Sequence, residues 1–168
     1  MTSNKSGRIF FFYALILFLL CTLPFLSKVI PENSGEMRCS ARAIMHFEDT
    51  QTETLNVNVH FRFARDGEGS MVVEGYSDSK AGWLYLQRYV TFNYFSQRVS
   101  DLERVYQVQS WNATKSSIDE SPDVLFDYFM REMSDSHDAL QIKVQQLNYE
   151  TVLLSSLNSP LFVCVLEH

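Results

Sequence analysis

Between Ile9 and Leu26 the chain reads IFFFYALILFLLCTLPFL, eighteen residues without a charge. A helix rising about 1.5 Å per residue needs roughly 20 apolar residues to cross a bilayer, so residues 9–28 are expected to form a transmembrane helix. Lys5 and Arg8 favour a cytoplasmic N-terminus, and Lys28 beyond the run weakens that asymmetry. Pro24 stands near the outer end, where a helix tolerates it. A cleaved signal peptide is the rival, because it too has a basic start and an apolar middle. After Leu26, however, the chain continues SKVIPENSGEM, with no A-x-A-like triplet. Leu20 also stands where a lipoprotein signal would place Gly or Ala before Cys21. The expected division is a cytoplasmic tail (1–8), a membrane helix (9–28), a linker (29–38) and an exported domain (39–168).

An exported domain of about 130 residues is long enough for one real core. From Met37 onward it carries 11 Lys/Arg against 18 Asp/Glu, a net of −7. That balance offers no basic stripe for nucleic acid and no attraction to anionic lipid. The tail of eight residues is too short to fold alone.

The anchor decides how the cysteines read. Cys21 lies inside the apolar run and is most simply a small apolar residue. Cys39 and Cys164 are the two cysteines of the exported part, and an oxidising compartment favours their pairing. The chain-entropy argument assigns a loop of about 126 residues roughly 5 kcal/mol, an upper figure. Two separate buried thiols or a redox or metal pair are the alternatives. There is no C-x-x-C, and no histidines stand at ligand spacing.

Period-2 alternation runs between these cysteines. In TLNVNVHFRFA (Thr54 to Ala64), Leu55, Val57, Val59, Phe61 and Phe63 alternate with polar residues. The turn RDGEGS and then MVVEGY complete a hairpin. SARAIMHFE precedes it. WLYLQRYVTFNYF, ERVYQVQSW, ALQIKVQQL, Thr151 to Ser155 and Leu161 to Leu166 follow, for eight strands in all. One segment breaks the rhythm. From Ser121, expected as N-cap, and Pro122 at the first helical position, Leu125, Phe126, Phe129, Met130 and Met133 recur at helical spacing. Its aromatic face reads as core. The fold class expected is mainly β (α+β): an up-and-down antiparallel barrel or half-barrel with one inserted helix. Eight strands enclose space for side chains or one small apolar ligand. A Cys39–Cys164 bond would join the first strand to the last and so close the ring, removing both exposed edges.

Catalytic constellations are missing from the sequence. His46, His60, His137 and His168 are scattered, and no G-x-S-x-G, H-E-x-x-H, P-loop or dinucleotide fingerprint occurs. Asp123 and Asp127 read as helix-dipole partners and solvated charge. Asn112-Ala-Thr114 fits the N-glycosylation pattern, which would matter only in a eukaryotic secretory context. No enzyme and no cofactor are expected.

The order of features resembles the FidL-like family of small bacterial inner-membrane proteins over nearly the full length. The resemblance is carried by the basic start, the membrane run, CSARAIMHFE, the LNVNVHFRFARDGEGSMVVEGY hairpin, LQRYVTFNY, SPDVLFDYFM and the closing SPLFVCV. Members look like accessory partners, of the ToxS and VtrC kind, of membrane-bound ToxR/CadC-like transcription regulators. The resemblance implies a periplasmic lipocalin-like domain on an inner-membrane anchor. It further implies docking on the regulator, in some cases with a shared bile-salt pocket. The alternative is a membrane-anchored periplasmic carrier for a small amphipathic ligand that needs no regulator. No ligand-binding residues carry over, because the matched motifs are structural. Shared anchoring in one bilayer would raise the effective concentration of such a partner.

Overall fold

Alternating side chains build long strands first. The computed structural model describes residues 36–48, 52–79, 82–134, 140–156 and 159–167. The expected membrane helix at 9–28 lies outside them, and among the described residues no helix is long and apolar enough to cross a membrane. Five strands come in succession: β1 (Met37–Glu48), β2 (Thr52–Phe63), β3 (Glu68–Ser79), β4 (Gly82–Arg98) and β5 (Glu103–Lys115). Helix α1 (Asp123–Met133) follows, then three short strands, β6 (Leu140–Gln146), β7 (Thr151–Ser155) and β8 (Pro160–Leu166). Each strand pairs antiparallel with the next, and β8 pairs with β1, so the sheet closes into a barrel. The half-barrel alternative is thereby set aside.

The register puts the expected residues inside. Leu55, Val57, Val59, Phe61 and Phe63 of β2 are buried, facing Met71 and Val73 of β3 and Leu86, Val90 and Phe92 of β4. Fully burying each such side chain is worth about 1.5–3 kcal/mol. Phe63 sits at the centre of an aromatic cluster, with ring centroids 4.3 Å from Tyr106, 5.4 Å from Tyr94 and 5.5 Å from Phe92. Gly69, opposite Phe92, lets that ring lie over the backbone; an added Cβ would stand 2.0 Å from the ring edge. Gly67 supplies the positive φ of 87° in the turn between β2 and β3.

An irregularity in the β4–β5 pairing re-aims β5. Tyr94 pairs with Val108 but Asn93 with Ser110, leaving Gln109 as an extra residue. Tyr106 and Val108 face the core before it, and Ala113 packs on the core after it. Beyond Val108, β5 has no partner in β6.

The short strands leave one half of the barrel incomplete, and α1 fills it. Leu125, Phe126, Phe129, Met130 and Met133 are its buried face. Phe129 stacks on Phe162 of β8, and Tyr128 meets Phe47 of β1, at centroid distances of 6.3 and 5.4 Å. One detail departs from expectation. Pro122, not Ser121, is the N-cap, and no side chain caps the helix. Ser121 is buried instead, its Oγ donating to Asp119 at 2.6 Å.

The seam that closes the ring is thin. Two register pairs, Cys39 with Leu166 and Ser40 with Val165, join β1 to β8, and Glu167 N–H donates to Arg38 O at 2.9 Å. Cys39 and Cys164 form a disulfide across it, with Cα atoms 5.6 Å apart and both residues fully buried.

Candidate functional site

The barrel has two ends. Turns 64–67, 99–102 and 147–150 and the start of β1 share one; α1 covers the other. Each end holds an arginine on the inward parity of its strand.

At the helix end this is Arg88, flanked in β4 by the buried Leu86 and Val90. Its Nε donates to Asp119 Oδ2 at 2.6 Å and its Nη2 to Asp123 Oδ1 at 2.7 Å, while the guanidinium lies 5.3 Å from the Phe126 ring centroid. Asp119 also accepts from the backbone N–H of Gln87 at 3.0 Å and of Ser121 at 2.8 Å. Burial pushes the Asp119 carboxyl up, but hydrogen bonds from Ser121, Gln87 and Arg88 outweigh it and hold the group below its usual range. The Arg88 hydrogen bond likewise lowers Asp123. This network ties the segment before α1 to the barrel wall. Asp123, expected as a helix-dipole partner, also answers Arg88.

At the open end the arginine is Arg104. It pairs in register with Val144, a buried inward residue of β6, and shares the parity of Tyr106. Together they line a cavity of about 340 Å³ that opens at the mouth. The Nη1 of Arg104 is buried with no hydrogen-bond partner. The rim carboxylates, by contrast, are engaged. Glu36 meets Arg38 at 2.6 Å and Arg62 at 3.1 Å, Asp101 meets Arg98 at 2.6 Å, Glu103 meets Lys143 at 2.8 Å, and Glu167 lies 3.6 Å from His60. Nearby, Tyr94 donates to Ala64 O, and burial, with Tyr106 and Asp66 as neighbours, pushes its hydroxyl up to about 12.

A third feature lies outside. On the outer face of β3–β4, Tyr76 stands opposite Tyr85 with rings edge to face at 5.4 Å. Trp83 and Tyr89 flank them on β4, and Trp83, Tyr76 and Tyr89 are 61%, 52% and 45% exposed. Burial, then Glu74 and the neighbouring tyrosines, hold the Tyr85 hydroxyl above its usual range. Toward the open end lies a groove of about 680 Å³, lined by Arg62, Ser70, Thr91, Asn93, Asn112 and Trp111 among others.

The family model described as "FidL-like putative membrane protein" matches residues 75–164, from the end of β3 to the disulfide in β8. The chain belongs to the FidL-like family. No curated protein matches it. The matched FidL-like span holds Arg88, Asp119, α1 and Arg104. Cys39, the other end of the disulfide, lies outside it. Of the residues that the sequence marks, Cys39 and Cys164 come together, whereas His46 bonds Thr54 at 3.1 Å and His60 lies between Glu74 and Glu167. Among the described residues no His, Cys, Asp and Glu cluster could hold a metal. No motif marks Arg88 or Arg104, yet their parity with Leu86, Val90 and Tyr106 is readable in the strands.

Proposed function

We propose that this FidL-like chain is a non-enzymatic single-pass inner-membrane protein. Its periplasmic barrel docks on a membrane-anchored transcription regulator and stabilises or modulates it. The observation that carries this reading is the aromatic outer face of β3–β4. Tyr and Trp are enriched where protein interfaces gain most of their affinity, because they bury large area at low entropic cost and keep a polar tip. The apolar run at residues 9–26 supports an anchor that shares the partner's bilayer, so a weak contact suffices.

A photo-crosslinking residue in place of Tyr89, in the full chain in its own membrane, should capture the regulator. Deleting the protein should lower the regulator's level or output. Unchanged level and output would defeat the proposal. The second reading, a membrane-anchored carrier of a small amphipathic ligand, is favoured by the cavity at the barrel mouth.

A further inference from the structure

The two inward arginines pose one physical problem and answer it differently. A guanidinium taken from water must find acceptors, since a buried charged donor left unpaired costs several kcal/mol. At the helix end the chain supplies two carboxylates to Arg88. At the mouth it supplies none to Arg104 Nη1, although four rim carboxylates lie along the same cavity. Those four are directed to Arg38, Arg62, Arg98, Lys143 and His60 instead. The cavity behind Arg104 is walled by Tyr106, Val144, Val152 and Leu166. Its 340 Å³ falls at the small end of ligand-binding pockets, which run from about 300 to 1,000 Å³.

We infer that the barrel mouth binds a small carboxylate-terminated aliphatic molecule, with the guanidinium of Arg104, which lines the cavity, donating to the carboxylate. The aliphatic body lies against Tyr106, Val144 and Val152. The carboxylate supplies an acceptor that the chain withholds, and a charge-assisted hydrogen bond is stronger than one between neutral groups. A neutral ligand of the same shape would leave the guanidinium N–H unanswered, so the site discriminates by charge. This rests on the ligand-carrying reading and gives it a residue and a chemical class.

Equilibrium dialysis of radiolabelled decanoate against the full chain in nanodiscs, with empty nanodiscs subtracted, tests it; decanol is the neutral comparison. Wild-type protein should bind decanoate saturably at one site and decanol at least tenfold more weakly. Arg104→Met should weaken decanoate binding at least tenfold and leave decanol unchanged, with Arg104→Lys between. Equal binding of decanoate and decanol by the wild type, which needs no variant to fold, overturns the role of Arg104 while the carrier reading stands. An Arg104→Met protein that folds and binds decanoate undiminished does the same. If the wild type binds neither probe, the carrier reading fails and this inference with it.

Discussion

The helix end and the open end of this barrel are built on the same period-2 rule and differ in how they treat an inward arginine, buried at Arg88 and half-buried at Arg104. At the helix end, Arg88, Asp119, Ser121 and Asp123 saturate one another and fasten α1. At the open end, Arg104 keeps a buried N–H without an acceptor. A satisfied buried network resists the loss of any member, whereas an unsatisfied donor is a standing cost that its removal relieves. One end is therefore framework, and the other holds a group that the chain itself leaves unanswered.

This contrast can be broken in graded steps. The largest effect falls on Arg88→Met, which removes the close cation of buried Asp119 and leaves it only Lys115, at 3.7 Å. Urea unfolding of the full chain in micelles should show a loss of about 3–5 kcal/mol. Cys164→Ser should cost about 2–4 kcal/mol, because the β1–β8 seam otherwise rests on few hydrogen bonds. Amide exchange should then rise in β8 and at the start of β1 before it rises in β2–β4. A reduced domain as stable as the oxidised one would contradict this.

Asp119→Asn should cost about 1–3 kcal/mol at neutral pH. The Asp119 carboxyl titrates below its usual range, so its contribution is present above the unfolded value of about 4. That contribution is lost as pH falls through the lower folded value. The stability curves of wild type and variant should therefore converge in acid; a constant gap down to low pH would show that the charge is not what matters.

Arg104→Met without ligand should change stability by less than about 1 kcal/mol or raise it, the opposite of Arg88→Met. Two equal losses would erase the distinction between the ends. Smallest of all, Trp83→Ala should stay within about 0.5 kcal/mol, as for an exposed site, while lowering capture of the regulator.

Much of this architecture is legible in the chain itself. Leu55, Val57, Val59, Phe61 and Phe63 alternate so strictly that one register alone buries all five, and slipping by one residue would expose them. The helix is legible for the same reason, from Leu125, Phe126, Phe129, Met130 and Met133 at helical spacing. Ser121 misleads, because a serine before proline fits an N-cap, while the tertiary fold offers its hydroxyl a buried carboxylate. Asp119 gives no signal, since it lies in a connecting segment with no periodicity and its partners on the barrel wall, Arg88 and Gln87, stand 31 and 32 residues earlier.

Side-chain parity is a local property, so sequence alone determined which residues of β2 face inward, where the helix interrupts, and that Cys39 and Cys164 stand on the first and last strands; the re-aiming of β5 at Gln109 it did not. Which inward charges find partners is not local. Arg88 and Arg104 look alike in the chain. Only the folded sheet, through the β4–β5 pairing, carries Asp119 and Asp123 to one and leaves the buried Nη1 of the other without an acceptor, because acceptors distant in sequence reach a buried donor only through tertiary structure.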